Sequence, residues 1–182
     1  MKNYFKILRP GINSTFQDTG RFGLQHLGIA PSGCMDKSLF FLANKLVGNE
    51  ISEGALEFAY QGPLLELVGE SALVAVSGKV NFNIINNNGE IKQGIPYESF
   101  ILSSGESLDI ISTIDSVYGY LSIFGGFKLK KTKGSISTLV RAKIGSNNGE
   151  KLKLDEKIFF NKSTQNSKIN KFKFDFENDT TI

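Results

Sequence analysis

Along most of the chain, apolar residues come in short runs that stop at glycine, proline or asparagine. Phe5 to Leu8 is closed by Pro10-Gly11, Glu57 to Tyr60 by Gly62-Pro63, Leu65 to Val68 by Gly69, and Leu73 to Val76 by Ser77-Gly78. Asn81 to Ile85 leads to Asn88-Gly89, a pair that accepts the backbone angles of a tight hairpin, and Glu90 to Lys92 follows. Glu98 to Leu102, Ser107 to Ile111 and Val117 to Phe124 continue the series, the last ending at Gly125-Gly126. Short strands separated by turn residues every 8 to 12 positions or so predict an antiparallel barrel or sandwich. Helical spacing occurs once, over Lys37 to Val47, where Leu39, Phe40, Ala43, Leu46 and Val47 share one face. Asp36 stands where an N-cap belongs and Gly48 where a left-handed C-terminal residue belongs.

Beyond Gly126 the pattern loosens. Lys128 to Lys133 is a basic run expected at a solvated edge, and Leu139 to Ile144 fits a strand or a helical turn. Glu150 to Phe160 carries one more strand signal through the alternation Lys151-Leu152-Lys153-Leu154. Asn161 to Asn170 is polar and reads as a linker, after which Phe172, Phe174 and Phe176 alternate with polar residues as in a half-buried strand.

One segment fits no run. Ser14 to Asp36 holds Gly20, Gly23, Gly28 and Gly33, the single histidine, the single cysteine and the pair Asp18 and Arg21, directly before the helix. Glycine brings no side chain to a core, so such a segment either turns where a side chain would clash or lies against a ligand or partner. Asp18 and Arg21 read equally as a brace for the turn or as an arginine presented to a carboxylate or phosphate. Cys34 reads as a small residue in a tight place or as a thiol activated by the helix N-terminus. His26 reads as a loop histidine bonded to backbone or as a general acid or base. Gly134-Ser135 and Ser137-Thr138 offer hydroxyl and backbone N–H donors to an anion.

Composition narrows the chemistry. A balance of 21 Lys+Arg against 18 Asp+Glu gives only +3, which argues against a nucleic-acid partner. One cysteine excludes a disulfide framework and a cysteine-rich zinc site, and a lone histidine with no acidic cluster argues against any metal. No stretch approaches the roughly 20 apolar residues of a membrane span, and the N-terminus lacks a signal-peptide pattern, so a cytoplasmic protein without membrane contact is expected. Phosphate-binding loops of the GxxxxGK[ST] and GxGxxG types are absent.

Several blocks together carry a resemblance. Gln17-Asp18-x-Gly20-Arg21-x-Gly23, His26-x-Gly28, Ser32-Gly33-x-Met35-Asp36 and Ala43-Asn44-x-Leu46-Val47-Gly48-Asn49 come in that order. Ala55-Leu56-Glu57, Gly62-Pro63, Tyr120-Leu121-Ser122-Ile123-x-Gly125-Gly126 and Gly134-Ser135-x-Ser137-Thr138 follow. The whole is similar to the biotin-dependent carboxyltransferase family that includes the C subunit of 5-oxoprolinase, also known as allophanate hydrolase subunit 2. The resemblance implies a mainly β, cyclophilin-like barrel with one clear helix. It also implies an ATP-dependent complex acting on a cyclic or urea-type amide C–N bond, with partners like the B and A subunits of 5-oxoprolinase. ATP would be used in the complex, with no cofactor in this chain itself, and biotin is the carboxyl carrier in the urea carboxylases.

Carried onto this chain, the resemblance gives Asp18, Arg21 and His26 as catalytic residues. Gln17, Ser32, Gly33, Ser135, Ser137 and Thr138 become substrate-binding residues. Residues 1–160 would form the N-terminal carboxyltransferase domain, and 161–182 a linker and the first strand of a second β-rich half, separately encoded or lost. Cys34 stands where the family usually has alanine and Ile136 where arginine is common. The alternative is a non-catalytic binding or regulatory protein that keeps the barrel without the chemistry.

Overall fold

The computed structural model describes residues 2–161 and 169–172. Its strands are β1 (Tyr4–Arg9), β2 (Asn13–Gln17), β3 (Ala55–Ala59), β4 (Leu64–Val68), β5 (Ala72–Ser77), β6 (Val80–Ile85), β7 (Ile91–Gln93), β8 (Ser99–Leu102), β9 (Ser107–Thr113), β10 (Tyr118–Ile123) and β11 (Lys157–Phe159). They form two antiparallel sheets, ordered β11-β1-β4-β9-β6-β7 and β2-β3-β10-β5-β8. The two sheets do not join into a closed ring among the described residues. The expectation of a mainly β fold with one helix therefore holds, with the barrel left open.

Alternation along the strands builds the layers. Phe5 and Ile7 of β1, Leu65 and Leu67 of β4 and Leu108 and Ile110 of β9 point from the first sheet into a core. There they meet Leu56 and Phe58 of β3, Val74 and Val76 of β5 and Leu121 and Ile123 of β10. The alternate positions of the second sheet face α1 (Lys37–Val47), the single α-helix among the described residues, which packs Phe40 and Ala43 on Ala55 and Tyr120, and Leu46 and Val47 on Leu73 and Ala75. Burial on both faces explains why β3 and β5 read as unbroken runs. The helix has the predicted bounds: Asp36 accepts from the Leu39 N–H at 3.0 Å, and Gly48 ends it at φ 80°.

The sequence pattern missed one element and misplaced another. Strand β2 is polar at Ser14, Thr15 and Gln17 yet buried, because irregular chain covers its outer side: Thr138 N–H donates to Phe16 O and Leu152 N–H to Ser14 O. Lys151 to Leu154 is not a strand, and its Leu154 is exposed; the strand signal there resolves to β11 alone. Leu139 to Ile144 is a single 3-10 turn closed by pairing of its end residues.

Residues 169–172 return to the second sheet. Ser99 N–H donates to Asn170 O at 2.9 Å, Phe172 N–H to Tyr97 O at 3.0 Å, and Lys171 pairs with Glu98 at 2.8 Å. Residues 162–168 and 173–182, which include most of the expected linker and the Phe174 and Phe176 positions, lie outside the described residues.

Candidate functional site

Strand β2 ends in Gln17 and hands the chain to Asp18, which is buried with an exposure of 8%. Its carboxylate accepts three hydrogen bonds, from Gly20 N–H at 2.8 Å, Ser135 Oγ at 2.6 Å and Ile136 N–H at 2.8 Å. Gln17 joins the same layer: its amide donates to Thr15 Oγ1 at 2.9 Å and Thr138 O at 3.2 Å, and its Oε1 accepts from Ser137 Oγ. Ser137 Oγ in turn accepts from Gly33 N–H at 2.7 Å. Ile136, between the two serines, points the other way into the core against Gly54.

The two arms of the loop cross on backbone. Cys34 N–H donates to Asp18 O at 2.9 Å and Arg21 N–H to Pro31 O at 2.8 Å, and Gly20 and Gly33 lie where these arms touch. A Cβ on Gly20 would stand 2.8 Å from Ser32 O, and one on Gly33 would stand 3.1 Å from Thr19 O. Arg21 passes through the crossing with 2% exposure; its two terminal nitrogens donate to Ser32 Oγ at 2.5 Å and to Ser137 O. Burial pulls its guanidinium below the ordinary range, and the Asp18 charge opposes that pull. Two buried atoms in this layer, Arg21 Nε and Thr138 Oγ1, have no hydrogen-bond partner.

The far end of the loop is tied to the second sheet by a pair that motif reasoning did not single out. Glu57 on β3 and Tyr120 on β10 lie opposite each other in register and both face the helix. Glu57 Oε2 accepts from Met35 N–H at 2.8 Å and from Tyr120 Oη at 2.7 Å, while Tyr120 Oη accepts from Asp36 N–H at 2.8 Å. One charged residue inside the apolar run Ala55–Ala59 was the signal available in the sequence. Asn44, fully buried on α1, does similar work at the helix's other end by donating to Glu53 O at 2.7 Å and accepting from Ser122 Oγ at 3.0 Å.

Burial pushes the Glu57 carboxyl above its usual value of 4.5, the bonds from Tyr120 and Met35 oppose this, and the Asp36 charge adds to it. A carboxyl raised in the folded state favours folding most below pH 4.5, and this contribution is lost as pH rises through the folded value. Glu57→Gln is therefore expected to fare progressively better relative to the parent as pH rises from 4 to 8 or so. Urea unfolding across that range checks it, and a stability difference independent of pH is the opposing result. Cys34 sits beside this pair, and burial together with the Glu57 charge pushes its thiol up to about 11. It is a half-buried packing residue in an environment that holds it protonated near neutrality.

Between these ties, residues 22–30 stand away from the sheets. Phe22 (68% exposed) and Leu27 (58%) lie open to solvent, as does Met35 (64%) just beyond Gly33. His26 lies in a 3-10 turn, Gln25–Leu27, and is exposed. The structure thus brings Gln17, Asp18, Arg21, Ser32, Gly33, Ser135, Ser137 and Thr138 into one bonded layer, and it leaves His26 outside that layer, on the loop the layer supports. Among the described residues there is no group of His, Cys, Asp and Glu able to hold a metal ion, and no helix long and apolar enough to cross a membrane.

Two antiparallel sheets backed by one helix, with a braced loop at the sheet end, form a β-rich domain of the carboxyltransferase class. Residues 27–181 match the model of the carboxyltransferase domain, subdomains A and B, and the chain belongs to that family. It is 34% identical over 158 residues to urea amidolyase of Lachancea kluyveri, covering 86% of this chain and 8% of the relative. It is 31% identical over 152 residues to the C subunit of 5-oxoprolinase from Haemophilus influenzae, covering 84% of this chain and 48% of the relative. The crystal structure of urea amidolyase from K. lactis superposes with a TM-score of 0.82 at 34% identity, covering 94% of this chain and 10% of that one. The chain thus spans about half the length of the bacterial relative and a small part of the fungal enzyme.

Proposed function

We propose that this chain is part of a carboxyltransferase-type subunit in an ATP-dependent complex acting on the C–N bond of a cyclic or urea-type amide. Its partners in this reading are proteins like the B and A subunits of 5-oxoprolinase, together with a second β-rich unit. The observation that carries the reading is Arg21, buried, spending both terminal nitrogens on the loop while its Nε–H is left without a partner. An unsatisfied guanidinium N–H beside a loop that exposes His26 suits a substrate carboxylate or carboxyl group. Arg21 takes the anion once the loop over it opens, His26 handles the proton, and Asp18 holds Gly20 and the Ser135–Ile136 segment in place. Gln17, Ser32, Gly33, Ser135, Ser137 and Thr138 line the layer on which substrate rests.

ATP does not fit this chain's own helix. The N–H groups at the start of α1 are engaged by Glu57, Tyr120 and Asp36, and two carboxylates stand where a phosphate would sit. In this reading ATP is consumed by another protein of the complex. Biotin enters only if the amide is urea-like, and a carrier protein would then present it.

Mixing the protein with its two partner proteins and the second unit should yield ATP hydrolysis stimulated by 5-oxoproline or by urea. His26→Ala is expected to lower the rate about 100-fold or more while the protein stays folded, as expected for loss of a general acid or base. Unchanged turnover in His26→Ala removes histidine from the mechanism, and no stimulated hydrolysis with either amide removes the enzymatic reading.

A second reading has its own support. The Asp18 carboxylate has three donors and Arg21 is nearly enclosed, so both serve as braces in a binding or regulatory protein without chemistry. Calorimetry separates the two, since partner binding with no heat from small amides in the assembled complex favours regulation.

A further inference from the structure

Residues 128–143 carry different chemistry inside and outside. The inner residues Ser135 to Thr138 grip the candidate site as described. The outer residues Lys128, Lys130, Lys131, Lys133, Arg141 and Lys143 are all exposed or half-buried, and no Asp or Glu occurs in the span. Placing six of the chain's 21 cations here leaves 15 against 18 acids elsewhere, so a chain of +3 is an acidic body with a basic lobe.

The lobe is compact. Thr132 pairs with Ser135, Leu139 pairs with Ile144, and Thr132 Oγ1 donates to Gly145 O at 3.4 Å, which joins the turns bearing Lys131, Lys133, Arg141 and Lys143. Lys128 and Lys130 line a cleft with Lys157 and Phe159 beside these turns. Outside the lobe, Lys6, Arg9, Lys79, Lys153 and Lys171 each find a carboxylate, whereas none of the six is in an ion pair among the described residues. The acids nearest the lobe stand at its margin, Glu156 in the cleft with Lys128 and Lys130 and Glu150 within the field of Lys143, so the like charges of Lys131, Lys133 and Arg141 between them oppose one another and attract an acidic surface.

We propose that the 128–143 lobe is a docking face for an acidic segment of a partner polypeptide. A protein is favoured over nucleic acid because no exposed aromatic side chain lies in the lobe to stack on a base. The position matters to function, because a partner seated outside bears on the backbone that holds Asp18 and Arg21 inside. The proposal does not depend on which amide, if any, the protein acts on.

A labelled decaglutamate peptide serves as the probe, with a thymidine decanucleotide for comparison, both titrated at several salt concentrations. The peptide is expected to bind more tightly than the decanucleotide, with affinity falling as salt rises. The variant Lys131→Glu/Lys133→Glu/Arg141→Glu should weaken peptide binding about tenfold or more, and Lys45→Glu/Lys79→Glu/Lys92→Glu by no more than about twofold. Should the first variant melt early, Lys131→Ala/Lys133→Ala/Arg141→Ala is expected to give the same ordering with a smaller loss. Equal losses from both sets of reversals, or tighter binding of the decanucleotide, overturn the proposal.

Discussion

Asp18→Ala is expected to lower unfolding free energy by about 3–5 kcal/mol, because it orphans buried donors and removes the counter-charge beside a buried arginine. Gly20 N–H, Ser135 Oγ and Ile136 N–H all converge on the one carboxylate, so no single neighbour can replace it. Asp18→Asn keeps the volume and one acceptor oxygen but turns an amide donor toward a donor, and it should cost about half as much. Urea unfolding of both variants measures the difference. A cost below about 1 kcal/mol for Asp18→Ala would show that the 135–138 backbone is held by something else.

Gly20→Ala should cost about 2–4 kcal/mol, combining positive-φ strain with a collision against rigid backbone. The φ at this position is +98°, and a Cβ would meet Ser32 O at 2.8 Å and Pro31 O at 2.9 Å. Carbonyl oxygens in a crossing cannot rotate aside as a side chain tip can. Gly23 and Gly28 provide the contrast, since a Cβ on either meets nothing within 4 Å and only the backbone preference, about 1 kcal/mol, is lost on substitution by alanine. Limited proteolysis should show faster cleavage within residues 22–30 in Gly20→Ala than in Gly23→Ala. Equal cleavage would mean that the loop does not depend on its neck.

These two residues also mark how far the sequence could be read. The helix was legible to the residue because Asp36, five apolar positions and Gly48 each act locally. Most strands were legible because both flanking turns and apolar positions repeat. Strand β2 was not, since its polar residues are buried by chain from beyond residue 135, a contact that no local pattern encodes. The loop from Ser14 to Asp36 was singled out by its glycines, but two different reasons for glycine are present. Gly20 and Gly33 allow a backbone crossing, whereas Gly23 and Gly28 only turn the chain. The pair of readings offered for Asp18 and Arg21 could not be separated without knowing that Ser135 and Ser137 come to them across more than a hundred residues. Glu57 and Tyr120 escaped notice as a pair because cross-strand register is a property of the sheet.

The irregular chain around the sheets bears on self-association. Strand β2 is covered by residues 138 and 152, β11 by Lys128, and the beginning of β8 by residues 170–172. What remains open to another copy's backbone among the described residues is β7, three residues long with Lys92 at its middle, and the Ile101 end of β8. Strand addition needs a longer free ladder than either offers. Among the described residues, coverage by loops thus does for an open pair of sheets what closure does for a barrel: it withholds a long strand template on which copies could polymerise.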